Sequence, residues 1–360
     1  MSINYQEILQ SYPWILERDQ KIILSPDSDG ILCGILFTNF LDAEVVGYYD
    51  GKVLAVKNDI NPEECTFLDI EIFKENVKSC GHHMVLYNKT ILTRNPQLLD
   101  HFSNCIQPNI FRGFDAKKNF QSKYPFATIH FLLGLLQEGG VISRNQLANT
   151  SVWPLLFTDG TWINLFGYTE NCLDWLHYLN IDDEDHILHD VFYSERSVIS
   201  IMHNINALLR ERDSRNAVGF FDGDTYVVGG RNKRTGDKFK LSASNGQAIN
   251  LVPSSTLEGV YDVHELEKNR MIDFYSYISN QMGWRFIEER WNFENLDVHV
   301  FRKSNTKADG YSGLTNRNYS MIMENPLLLS FAITSGTGIE YTIDEEGVIK
   351  DNITENEYLY

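Results

Sequence analysis

No stretch of the 360-residue chain approaches the ~18 consecutive apolar residues that a membrane-spanning helix needs. The opening residues MSINYQEILQSYPW lack the basic segment and apolar core of a secretory signal, so the expectation is a soluble, cytoplasmic protein with no membrane partner. Cysteine is scarce: five residues, an odd number with no C-x-x-C pair, suit a reducing compartment and argue against a disulfide framework or a thiolate zinc site. Basic residues are outnumbered, 31 Lys and Arg against 49 Asp and Glu, for a net charge of −18. Non-specific nucleic-acid affinity comes from lysine and arginine on phosphates, so an extended duplex-binding face is excluded. An acidic protein can still act on phosphate esters when cations at its carboxylates supply the local positive charge. There are no internal repeats, no low-complexity tract and no Ser-His-Asp or Cys-His motif.

What is present suits a globular protein with a sizeable core: 43% of residues are hydrophobic and 12% aromatic. Single cores stop growing near ~250–300 residues, so the length predicts two domains. In the first part, KIIL (21–24), AEVVGYY (43–49), KVLAV (52–56) and TFLDI (66–70) read as strands and ILCGILFTNFL (31–41) as a helix. Short apolar runs between turn residues predict an α/β fold with a mostly parallel sheet. YPFATIHFLLGLLQEGG (124–140) reads as a buried helix stopped by glycines, and 194–213 as an amphipathic helix with Ser194 as candidate N-cap. The texture then changes to hairpin signals over 217–244. The expected organisation is an α/β domain over 1–193, a linker helix over 194–213 and a smaller α+β substrate-binding domain over 214–360.

The chemistry-bearing residues lie at strand ends. In SPDSDG (25–30), Asp27 and Asp29 follow the first strand; the same residues make a good turn and helix N-cap. Asp69 ends a later strand, His82 and His83 are adjacent in CGHHM, and Asp159 precedes a turn glycine in FTDGTW. Ligands gather outside the carboxyl ends of strands in open α/β sheets, and carboxylates with an imidazole suit Mn²⁺ or Mg²⁺ better than Zn²⁺ or copper.

The order of these pieces resembles the DHH phosphoesterase superfamily, over residues 20–165. That superfamily includes RecJ-type exonucleases, nanoRNases, cyclic-dinucleotide phosphodiesterases and family II pyrophosphatases. SPDSDG resembles its first motif, LDIE the second, GHHM the third and FTDGTW the fourth. The resemblance implies a manganese- or magnesium-dependent hydrolase holding two ions. Asp27 would bind the first ion, Asp29 the second, and Asp69 would bridge them. His82 and Asp159 would complete the second ion's shell, and His83 would contact the scissile phosphate. The implied substrate is a short nucleotide or oligonucleotide, cleaved by two-metal in-line displacement.

Three features depart from the family pattern. Ser25 stands where a His or Asp ligand of the first ion is usual, which weakens that site. Gly81 replaces the first aspartate of the signature. Asp69 and His82 are thirteen residues apart, about ten fewer than usual. The alternative is therefore a catalytically weakened relative that binds a nucleotide or a protein partner, as a homodimer or within a complex; a pyrophosphatase-like activity also remains open. GGRNKRTGDKFKLSAS (229–244) is the one strongly basic stretch. It reads as a solvated hairpin tip, or through Arg231 and Lys240 as a phosphate-binding segment. IDDEDHILHD (181–190), SGTGIE (335–340) and FYSYI (274–278) read as a solvated acidic turn, a weak phosphate-loop signal and core, respectively.

Overall fold

Strand pairing in the computed structural model runs through both halves of the chain. Residues 2–93, 95–214, 220–222, 225–227, 238–305, 310, 313–336 and 338–350 are described. Their strands are β1 (Lys21–Leu24), β2 (Glu44–Tyr49), β3 (Val53–Lys57), β4 (Thr66–Leu68), β5 (Lys78–Cys80), β6 (Cys105–Ile106), β7 (Phe220–Asp222) and β8 (Thr225–Val227). β9 (Leu251–Pro253), β10 (Tyr261–Val263), β11 (Leu296–Val300), β12 (Arg302–Asn305), β13 (Leu328–Ile333) and β14 (Ile339–Ile343) follow. The helices are α1 (Tyr5–Ser11), α2 (Ser28–Phe40), α3 (Lys89–Leu92), α4 (Pro108–Phe111), α5 (Ala116–Asn119), α6 (Thr128–Glu138) and α7 (Val152–Phe157). Then come α8 (Thr161–Gly167), α9 (Thr169–Tyr178), α10 (His189–Phe192), α11 (Val198–Ser214), α12 (Glu265–Met282) and α13 (Asn316–Met323).

The fold is mixed α/β around a nine-stranded sheet of order β6-β5-β4-β1-β2-β3-β11-β10-β9. The five strands from β6 to β2 are parallel, and the pairs from β2 to β9 are antiparallel. Parallel strands buried on both faces need continuous apolar sequence, and β1 and β2 supply it. Residues expected in a separate C-terminal domain extend this sheet: β11 pairs with β3 over five residues, from Leu296 opposite Lys57 to Val300 opposite Val53. The remaining C-terminal strands form a three-stranded sheet, β12-β14-β13, bridged to the first part at Ile72–Ser330 and Met84–Ile333. One hydrophobic cluster interleaves Phe73, Met84 and Phe102 with Tyr319, Phe331 and Tyr341. The strand pairing thus does not follow the expected division at 194–213.

Helix α2 is buried on every side from Ser28 to Thr38, as a helix apolar all round must be. It lies against β1, α6 and α12. It begins three residues before the expected ILCGILF run because Asp27 caps it, accepting the Gly30 N–H at 3.4 Å. Gly30 is there for space: a Cβ would lie 2.0 Å from the Ser25 carbonyl oxygen. The 194–213 helix starts at Val198 instead, where the Ser197 hydroxyl, not Ser194, accepts the Ser200 N–H. Among the described residues, no helix is long and apolar enough to cross a membrane.

Helix α6 is anchored by His130, whose Nδ1 accepts the Ala127 N–H and whose Nε2 donates to the Leu155 carbonyl. This neutral ring is fully satisfied, and burial pushes its pKa down to about 4. In the unfolded chain the ring titrates near ~6.5, so between those values the unfolded state binds more protons and stability falls as pH falls. Urea unfolding at neutral pH and near pH 4.5 is expected to show a loss of about 2 kcal/mol from this residue. A His130→Gln variant is expected to lack that component of the pH dependence.

Candidate metal centre

In the sheet, β1 is flanked by β2 on one side and β4 on the other, so the chain reverses its direction of progress beside β1. Crevices at such points collect ligands. Asp27 and Asp29 leave the end of β1, and Asp69 leaves the end of β4, where its N–H donates to the Cys80 carbonyl at 2.7 Å. Asp69 (φ 63°) and Asp159 (φ 49°) both take the left-handed backbone conformation, which aspartate tolerates better than most residues. Asp159 is fixed through its neighbour Thr158, whose Oγ1 lies 3.1 Å from Ser28 Oγ at the start of α2.

Four side chains converge: Asp29, Asp69, His82 and Asp159 each offer a ligand atom, all within 4.8 Å of one another. His82 Nδ1 lies 3.5 Å from Asp29 Oδ2 and 3.3 Å from Asp69 Oδ1, while Nε2 lies 3.4 Å from Asp159 Oδ2. Asp29 is fully buried, and its two oxygens accept the N–H groups of Thr128 at 2.6 Å and Ile129 at 2.9 Å. It therefore caps α6, whose own N-cap residue is Ala127 and offers no side-chain acceptor. Thr128 completes the inner ring, donating its hydroxyl to Asp69 at 2.8 Å and accepting from His82 Nδ1 at 2.9 Å.

The charges are strongly coupled. Burial opposes charge on His82, but hydrogen bonds to Asp29 and Asp69 and the charge of Asp159 raise its pKa well above the ordinary histidine value. Burial likewise works against ionised Asp29, and its hydrogen bond and attraction to His82 overcome that and hold it below the usual carboxylate range. Burial and the charge of Asp29 push both Asp69 and Asp159 well upward. The cluster thus balances part of its charge with protons, His82 carrying one and Asp69 and Asp159 drawn toward the neutral form. Three carboxylates and an imidazole at this spacing could hold a metal ion, which would displace those protons.

Asp27 stands at the edge of the group. It lies outside the four-ligand set, although its charge raises Asp69 and Asp159. Its Oδ2 meets Lys238 Nζ at 3.1 Å. His83 stacks on His82 with ring centroids 4.4 Å apart and is 45% exposed. It lines a cleft of about 500 Å³ together with Asp27, Asp69, Lys52, Lys238 and Lys303. Lys240 also lines this cleft, and Arg231 lies outside the described residues. The acidic 181–190 stretch forms no such group among the described residues: His186 is buried, its Nδ1 accepts the Leu188 N–H, and burial pushes its pKa to about 4. Cys33 is buried one turn beyond Asp29, its thiol held neutral by burial and the neighbouring carboxylates.

Glu71 carries a role that motif reading leaves unassigned. Only 2% exposed, it accepts the His83 N–H at 2.6 Å and faces His83 Nδ1 at 3.1 Å. Gly81 makes room for it: a Cβ at that position would lie 2.5 Å from the Glu71 carboxyl. A buried carboxylate thus reaches His83 from position 71, two residues beyond Asp69, and that spacing was the available signal. Thr128 carried no signal, being the first residue of an apolar helix. No protein-family model, curated protein or solved structure matches the chain.

Two outcomes follow from this geometry. Because a bound cation must displace protons from His82, Asp69 and Asp159, affinity is expected to rise with pH, with proton release on binding. Mn²⁺ titrations at about pH 6 and pH 8, in buffers of different ionisation heat, measure both. Gly81→Asp alone should lower the melting temperature by crowding Glu71, and Glu71→Ala alone should release His83. The double variant should recover the native ¹⁵N shifts of His83 and most of the stability; unchanged His83 shifts in Glu71→Ala alone would mean that Glu71 does not hold the ring.

Proposed function

We propose that the chain is a metal-dependent phosphoesterase of DHH type that hydrolyses a phosphodiester in a short nucleotide or oligonucleotide. The observation that carries this reading is the convergence of Asp29, Asp69, His82 and Asp159 beneath a lysine-lined cleft that His83 enters. Asp29, Asp69 and Asp159 with His82 would hold Mn²⁺ or Mg²⁺. When bound, such an ion supplies Lewis-acid polarisation and a more acidic bound water. The chain's own residues do the rest. Glu71 fixes His83 through Nδ1 and leaves the other ring nitrogen to face the substrate. Lys52, Lys240 and Lys303 line the same cleft among acidic side chains, Lys303 pairing with Glu340 at 2.9 Å, and offset part of the phosphate charge.

One observation favours a second reading, a nucleotide- or protein-binding relative with little turnover. Ser25 provides no strong ligand, and Asp27 is engaged by an ammonium group, Lys238, on the side where a first ion would bind. Under the hydrolase reading this ion pair makes one tightly bound cation, rather than two, the expected stoichiometry.

Asp159→Ala separates the readings cleanly, because it removes a ligand without uncapping a helix. Mn²⁺-dependent cleavage of di- to pentanucleotides is expected, reduced at least about a hundredfold in this variant, since even outer-shell losses cost ~10–100-fold. Asp29→Ala should show the same loss and in addition lose about 1–2 kcal/mol of stability with the α6 cap. Cation binding without turnover on any short nucleotide would favour the second reading.

A further inference from the structure

A second cleft, of about 1000 Å³, opens on the other side of the histidine pair. His83 and Thr334 line both clefts, and His82 and Asp159 line this one. Its character differs from that of the first. The first cleft sets Lys52, Lys238, Lys240 and Lys303 against Asp27, Asp50, Asp69, Glu71 and Glu340, whereas this one sets only Lys123 against Asp159 and Glu170. It offers one ammonium group where the first cleft offers four. It adds exposed aromatic rings, whereas Tyr49, Phe239, Phe331 and Tyr341 of the first cleft are buried. Phe166 and Tyr168 flank the α8–α9 junction, each 63% exposed, and both line the cleft. Trp162 meets Phe166 edge-on with centroids 6.4 Å apart, which supports that ring from behind.

These rings belong to the segment that presents Asp159, seven and nine residues further along the chain. A planar group stacked on them would therefore sit beside the cluster and against the element that supplies one of its ligands. We propose that Phe166 and Tyr168 form a stacking subsite for one nucleobase of the substrate, on the side of His83 opposite the lysines. The inference rests on the function proposed above and deepens it. The substrate spans His83, with a base over the rings and a further phosphate among the lysines, so the smallest complete ligand is a dinucleotide. Every base has a π-face, so stacking of this kind tolerates sequence; the amides of Asn164 and Gln121, on the same wall, are the polar groups available for preference among bases.

The test uses the full chain with Mn²⁺ and two probes, a phosphorothioate-linked dinucleotide and inorganic phosphate. Because both rings are exposed, Phe166→Ala and Tyr168→Ala are expected to melt as the native protein does. Each should weaken dinucleotide binding about ten- to hundredfold while leaving phosphate binding within about twofold, the range of alanine substitutions at stacked bases. Phe166→Tyr and Tyr168→Phe, which keep the rings, should bind the dinucleotide like the native chain. Equal losses for both probes, or no loss for either, would overturn the subsite. So would sedimentation showing a native dimer that these variants convert to monomer, because Ile163 and Leu173, 58% and 54% exposed nearby, would then be covered by a second copy. Ring-dependent binding without cleavage would leave the subsite standing and remove the hydrolase reading. Cleavage that does not depend on the rings would do the reverse.

Discussion

A single carboxylate, that of Asp29, connects the fold to the chemistry. An ionised group with no solvent exposure is costly unless its lone pairs are met, and a buried charge left unpaired costs several kcal/mol. Here two backbone N–H groups at the start of α6 and the imidazole of His82 meet them. The same contacts give α6 a cap that its own sequence does not provide. With Asp29 held in its charged form, His82 retains a proton, and Asp69 and Asp159 are pushed the other way. The packing of α2 against α6 and the proton inventory of the cluster are therefore consequences of one arrangement. The N-cap and ligand readings of SPDSDG need not compete: Asp27 caps α2, and Asp29 caps α6 while offering the cluster an oxygen.

How much of this could be read from the residues depended on distance along the chain. The strands β1 to β4 and helices α2 and α6 announce themselves by local pattern, and the carboxylates and histidine pair stand at strand ends where local reading can find them. The lengths of LVP, YDV and LDVHV gave no indication that β9, β10 and β11 would extend the first sheet, because pairing across some 240 residues leaves no local mark. Glu71 was visible in LDIE, but its role depends on the space that Gly81 leaves, a tertiary fact. Ser194 was a reasonable cap one turn too early, since Ser197 offers the same hydroxyl closer to the first apolar residue of α11.

The site is asymmetric about His83. One side presents ammonium groups in a cleft closed by the three-stranded sheet; the other presents rings on a helix junction beside Asp159. A histidine pair stacked at 4.4 Å forms the wall between them, and Glu71 holds its outer ring from behind. Four ammonium groups on one side and exposed rings on the other thus leave the two faces of His83 chemically distinct.

The pairing of β3 with β11 also governs how the chain acquires its structure. Until residues near Val300 have left the ribosome, β3 presents an apolar edge, VLAV, with its hydrogen-bonding groups unpaired. Unpaired apolar edges invite association with other chains, and contacts of such long sequence separation form slowly. Nascent chains stalled between β3 and β11 are consequently the species most in need of protection, and folding yield should track how quickly the second half is supplied.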